Sequence, residues 1–163
     1  MKLARTFRHL ASTGWGLRRA FNSQVLAAIE QAIAATESTH GGEIRFAVED
    51  NLNAAELWRD TSPRTRAIEM FARLGVWDTE LNNGVLIYVL WADHDVEIVA
   101  DRAFAARVSD QEWRDVCQRM EQRFARQQVQ EAAVEGVRAA GALIARHFPA
   151  ADRNELPNRP VLL

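Results

Sequence analysis

Asp78, Asn82, Asn83, Asp101 and Asp110 are the side chains whose types and placement suit chemistry, and that chemistry is the binding of a hard cation. Carboxylates, amide oxygens and exposed loop carbonyls are the ligands that Ca²⁺ and Mg²⁺ take. A hairpin would bring them together. Val85 to Trp91 is an unbroken apolar run rich in β-branched and aromatic residues, which predicts a strand buried on both faces. Ala92 to Asp95 is a short polar loop, and Val96 to Ala100 predicts a second strand. So short a loop permits only an antiparallel return. Asp101 then falls beside Asn82 and Asn83, Asp78 and Glu80 sit on the loop entering the first strand, and Asp110 opens a helix shortly after. The same residues are ordinary turn formers, and Asp110 favours a helix start through the dipole alone. A metal site and a set of solvated turns are both open readings.

Other chemistries find less. Gly14-Trp15-Gly16 and Gly41-Gly42 match neither a dinucleotide fingerprint nor a phosphate loop with its lysine. There is no Gly-x-Ser-x-Gly turn. His9, His40, His94 and His147 are scattered, with no ligand pair at helical spacing. Glu49, Asp50, Asp93 and Asp95, with His94 at the hairpin tip, read as a turn. No nucleophile with a base beside it is visible, so no catalytic or cofactor-binding residue is assigned, and binding is favoured over catalysis.

The elements that must position these residues follow from periodicity. Asn22 or Ser23 caps a helix carrying Val25, Leu26, Ile29 and Ile33. Glu43 to Glu49 alternates, with Ile44, Phe46 and Val48 on one face, which predicts a strand near a sheet edge or with a partly wet face. Ser62-Pro63 starts a crossover helix with Ile68, Phe71 and Leu74 as its buried face, so the first two strands should be parallel. Ser109 and Glu112 form a capping box ahead of the stripe Trp113, Val116, Cys117, Met120 and Phe124, which makes Cys117 a core residue. A last helix carries Val134, Val137, Ile144 and Phe148, with Gly136 and Gly141 permitting close approach to the sheet. This order predicts an α/β fold: a three-layer α/β/α sandwich with a small mixed sheet, a central antiparallel hairpin and helices on both faces. The domain spans residues 22–150, between a basic N-terminal arm at 1–21 and an extended tail at 151–163.

The arm holds Lys2, Arg5, Arg8, Arg18 and Arg19 with no acidic residue before Glu30, and Leu3, Phe7 and Leu10 recur at helical spacing. Two readings compete: an amphipathic segment on an anionic membrane surface, or an irregular arm that packs its aromatics on the domain and solvates its arginines. Over the whole chain, 163 residues at 48% apolar and 26% charged suit a globular protein. The net charge of −2 gives no reason to expect nucleic acid, and one cysteine excludes an internal disulfide. With no signal peptide or apolar run long enough for a membrane span, a cytoplasmic location is expected, peripheral to the membrane if the arm binds there.

Trp77-Asp78, then Asn82-Asn83-Gly84-Val85-Leu86, a strand, a polar hairpin and Val96-Glu97-Ile98 resemble the TPM-domain family, which includes thylakoid-lumen phosphatase-like proteins of photosystem II repair and bacterial envelope proteins. The resemblance covers roughly residues 22 to 148. It implies the same sandwich, binding of a divalent cation, often Ca²⁺, and for some members weak acid phosphatase activity. Where members carry a Gly-Tyr-Gly-Leu-Glu-like segment, this chain has Asp101-Arg102-Ala103-Phe104-Ala105. Ala105 thus stands at the family's glutamate, while Asp101 can supply another ligand. The expected function is a non-catalytic binding or adaptor module with a Ca²⁺ or Mg²⁺ site and a protein partner. The alternatives are a weak metal-dependent acid phosphatase and a membrane-surface accessory protein using the arm.

Overall fold

A computed structural model of the chain describes residues 3–12, 14–150 and 154–163. Lys2 of the arm and residues 151–153 of the tail lie outside them. The strand-forming stretches build one mixed sheet in the order β3-β2-β1-β4. β1 (Glu43–Glu49) runs parallel to β2 (Gly84–Leu90), with Ile44 opposite Val85. β2 pairs antiparallel with β3 (Asp95–Ala100), with Ile87 opposite Ile98. The parallel pair and the hairpin are those the sequence predicts.

Strand alternation divides the interior in two. Phe46, Val48, Val85, Ile87 and Ile98 enter a core with α3 (Ser23–Glu37), α6 (Asp110–Ala125) and α7 (Val129–Ala145). Ala47, Leu86, Tyr88 and Val99 enter a second core with α4 (Ala54–Trp58) and α5 (Pro63–Arg73). The result is the three-layer α/β/α sandwich. The caps at Asn22, Ser62 and Ser109 form as predicted, the last as a reciprocal capping box with Glu112.

Several local expectations are corrected. β1 is interior, because β4 (Val161–Leu162) pairs parallel with it at Ala47 and Val48. Its polar face is not wet: Glu43 and Glu49 are buried. Glu49 accepts hydrogen bonds from Arg66 Nε at 2.8 Å, Arg66 Nη2 at 2.6 Å and the Tyr88 hydroxyl, and Arg66 also reaches Glu56 and Glu69. The carboxylate is tolerated there because it is paired and fully hydrogen-bonded. In α5, Phe71 and Leu74 pack against the second core as predicted, but Arg66, Ala67 and Met70 are its buried residues and Ile68 is half exposed. Gly136 and Gly141 admit neighbouring helices rather than the sheet: a Cβ at either would collide with Met120 of α6 or Thr36 of α3.

The arm is helical, as α1 (Leu3–Ala11) and α2 (Gly14–Ala20). It is also inverted relative to the irregular-arm reading. That holds for α1, where Arg5 and Arg8 reach the domain while Phe7 and Leu10 face out; past it Leu17 and Phe21 are buried and Arg18 and Arg19 are exposed. Arg5 Nε and Arg8 Nη2 bond Asp93 at 2.8 and 2.9 Å, and buried His9 accepts from the Leu52 amide with its other ring nitrogen 3.2 Å from Asp93. Among the described residues no helix is long and apolar enough to cross a membrane.

Candidate functional site

The hairpin brings its two ends together as the sequence requires. The Asp101 amide donates to the Gly84 carbonyl at 2.9 Å, and the Ala103 amide to the Asn82 carbonyl at 3.2 Å. The five predicted site side chains nevertheless go different ways. Asn83 is fully buried and turns inward, its amide nitrogen bonding the Gly41 carbonyl and its Oδ1 left without a partner. The Asn82 Oδ1 is taken by Arg102 Nη2 at 2.6 Å, with Asn82 itself at φ 54°. Asp78 stays on the exposed loop. Asp101 caps the turn that follows it, Oδ1 accepting from the Arg102 amide at 2.6 Å, while its Oδ2 is buried with no partner. Asp110 is exposed at the first turn of α6.

The residues present therefore do not fit a metal cage as a set: one amide oxygen is engaged by a guanidinium and the other amide is committed to the core. Among the described residues no group of three or more His, Cys, Asp or Glu side chains is arranged to hold a metal ion. Asp101 and Asp110 do share a feature that the others do not. Both line an open groove of about 630 Å³ between β3 and α6.

That groove is a polar concavity along the sheet edge. Asp95, Glu97 and Glu121 line it with Asp101 and Asp110, against Arg64 and Arg114. Its floor is the free edge of the sheet, and side chains cap that edge. The Val96 amide donates to Glu121 Oε1 at 3.1 Å, Arg64 Nη1 donates to the Ile98 carbonyl, and the Cys117 sulfur takes a backbone hydrogen bond from Ile98. Capping an edge in this way prevents pairing with another sheet.

Burial first, and like charge second, set the protonation of the groove's carboxyls. Burial, then repulsion from Glu97, Glu121 and Asp93, pushes the Asp95 carboxyl up to about 7. Burial raises Glu121, and it raises Glu97 against the opposing pull of Arg64. The Cys117 thiol is pushed up to about 12 by burial first and then by Glu97 and Glu121. A thiol held neutral in this way is a poor nucleophile, in keeping with Cys117 as a core residue.

A family model for the TPM domain matches residues 18–143. The chain belongs to the TPM-domain family. Among solved structures, this TPM-domain chain is similar to the BA42 protein of the psychrophilic bacterium Bizionia argentinensis. The two share 30% identity over 87% of this chain and 94% of that one, with a TM-score of 0.76. The N-terminal domain of a P. gingivalis protein (17% identity, TM-score 0.60, 77% of this chain and 76% of that one) shares the fold. So does the N-terminal domain of the cg2496 protein of Corynebacterium glutamicum (12%, 0.56, 76% and 73%). Comparison with curated protein sequences gives no match.

Against that family frame, sequence reading missed the two glutamates in the groove. Glu97 was legible only as the polar position of β3. Glu121 extends the four-residue spacing Trp113–Cys117 along α6, and a carboxylate continuing an apolar row was the available signal. The acidic set at the hairpin tip does not form one site either. Asp93 is held by α1, Glu49 by Arg66 and Asp50 by the Ser12 hydroxyl at 2.8 Å, which leaves only Asp95 facing the groove.

Proposed function

We propose that this TPM-domain chain is a non-catalytic binding module and that the groove between β3 and α6 receives a cationic group. The observation that carries this is the concentration of five carboxylates against two arginines in one groove, where burial first and like charge second keep the Asp95 proton on near neutral pH. A cation entering the groove relieves that repulsion and displaces the proton, so binding strengthens as pH rises through about 7. A phosphomonoester is repelled by the same field. The weak phosphatase that family resemblance implies would first need a metal to invert the charge and polarise a phosphoryl oxygen.

A divalent cation is the second reading, and it rests on Asp101. Its Oδ2 is buried without a partner and it shares the groove with Asp110, so these two carboxylates, rather than the five-residue set, would hold Ca²⁺ or Mg²⁺. Calorimetric titration of the full chain separates the readings, using Ca²⁺, Mg²⁺ and a short lysine peptide at pH 8. Glu97→Gln/Glu121→Gln should weaken the peptide by about tenfold or more, the loss expected when charge-assisted contacts are removed. Ca²⁺ binding that survives this change and is lost in Asp101→Asn would favour the metal reading. No heat from any of the three would remove both.

A further inference from the structure

The N-terminal helices carry an inference that does not depend on the groove. On a helical projection of α1, Arg5, Arg8 and His9 fall on one side, and Phe7 and Leu10 on the other. The first set faces Asp93, and Arg5 also reaches the Thr61 carbonyl at 3.1 Å and Asp60 at 3.6 Å. The second set faces out, with Phe7 74% and Leu10 70% exposed. A helix that merely completes a fold buries its apolar side and solvates its charges. Here the charged side is used to dock the helix, and the apolar side is left free.

The neighbouring surface continues the pattern. Trp15 on α2 is 70% exposed, with Arg19 stacked 5.5 Å over its ring. Trp58, 80% exposed, ends α4 two residues before the Asp60 that Arg5 contacts. Arg18, Arg19 and Arg59 are exposed, Arg59 next to Trp58 in the chain, and no acidic residue precedes Glu30. Of the acids next to α1, Asp93 and Asp60 are both engaged by its arginines.

We propose that α1, α2 and Trp58 form a docking surface for an anionic lipid bilayer. Interfacial helices insert an apolar, aromatic-bearing face into the headgroup boundary and add attraction to anionic lipid through flanking cations. Both elements are present: Phe7, Leu10, Trp15 and Trp58 supply the apolar, aromatic face, and Arg18, Arg19 and Arg59 the cations that complement anionic headgroups. Docking to Asp93 holds the helix ordered, with its apolar face outward before contact.

The test is flotation of the full chain with vesicles of phosphatidylcholine alone and of phosphatidylcholine mixed with phosphatidylglycerol. Binding is expected only to the mixed vesicles, and it should weaken as salt is raised. Phe7→Ser/Leu10→Ser and Arg18→Glu/Arg19→Glu should each reduce partitioning by about tenfold or more. The altered side chains are exposed, so melting temperatures should not move. If the serine variant does melt lower, the glutamate variant alone decides. Absence of binding at low salt, equal binding to neutral vesicles, or a dimer of the intact chain that the serine variant dissolves would each overturn the proposal.

Discussion

At the scale of single residues, Asp95 carries the most consequence. Its folded-state carboxyl lies near 7 against an ordinary value of 3.8, because burial and the charges of Glu97, Glu121 and Asp93 oppose its ionisation. Between those two values the unfolded chain ionises while the folded one holds its proton. The native state therefore binds more protons, and stability falls as pH rises from about 4 to about 7. Asp95→Asn removes this loss. Relative to the wild type, the variant should gain about 1–2 kcal/mol between pH 5 and pH 8, a figure reduced for the partial exposure of the group. Denaturant midpoints of both proteins at the two pH values check it. A stability difference independent of pH would show that Asp95 is ionised throughout. Other carboxylates sit in the opposite regime. Glu112, bonded by the Ser109 backbone and by Arg146, is held down at about 2 and keeps its cap across this range.

At the scale of elements, packing follows periodicity wherever one stripe decides a helix. Trp113 is 7% exposed and meets Phe104 edge-on at 5.9 Å, so Trp113→Ala should cost about 3–5 kcal/mol. Ile68→Ala, on the half-exposed side of α5, should cost well under half of that; a chemical denaturation series measures both. The contrast shows what was legible. The strands, the capped helices and the hairpin were readable because alternation, caps and a two-strand return each leave a local signature. The burial of α5 was legible only in Phe71 and Leu74; Arg66 takes a core position there for Glu49, which stands on β1 and is shared with Tyr88 of β2. Likewise α4 was not predicted, although Asn53 and Glu56 form a full capping box at its start. The two-residue β4 has no local signal, since its place depends on a partner more than a hundred residues away. Of the five candidate site residues, the hairpin rule located Asp101 beside Asn82. Side-chain direction was not legible: it sent the Asn83 amide into the core and gave the Asn82 oxygen to Arg102.

At the scale of the whole molecule, the sheet separates two kinds of surface. The hairpin tip is covered by α1 through Asp93, and the free edge of β3 is plugged by Glu121 and Arg64 and bordered by the acidic groove. The module thus presents a basic, aromatic surface at its N-terminus and an acidic concavity along α6. The central claim is that the concavity is the binding site. An amide chemical-shift titration of the full chain with Ca²⁺, and separately with a lysine peptide, tests it most directly. The account predicts perturbations concentrated in residues 95–101 and 110–121, saturating with added ligand and weaker at pH 6 than at pH 8. Shifts confined to the 78–83 loop, or none with either ligand, would contradict it.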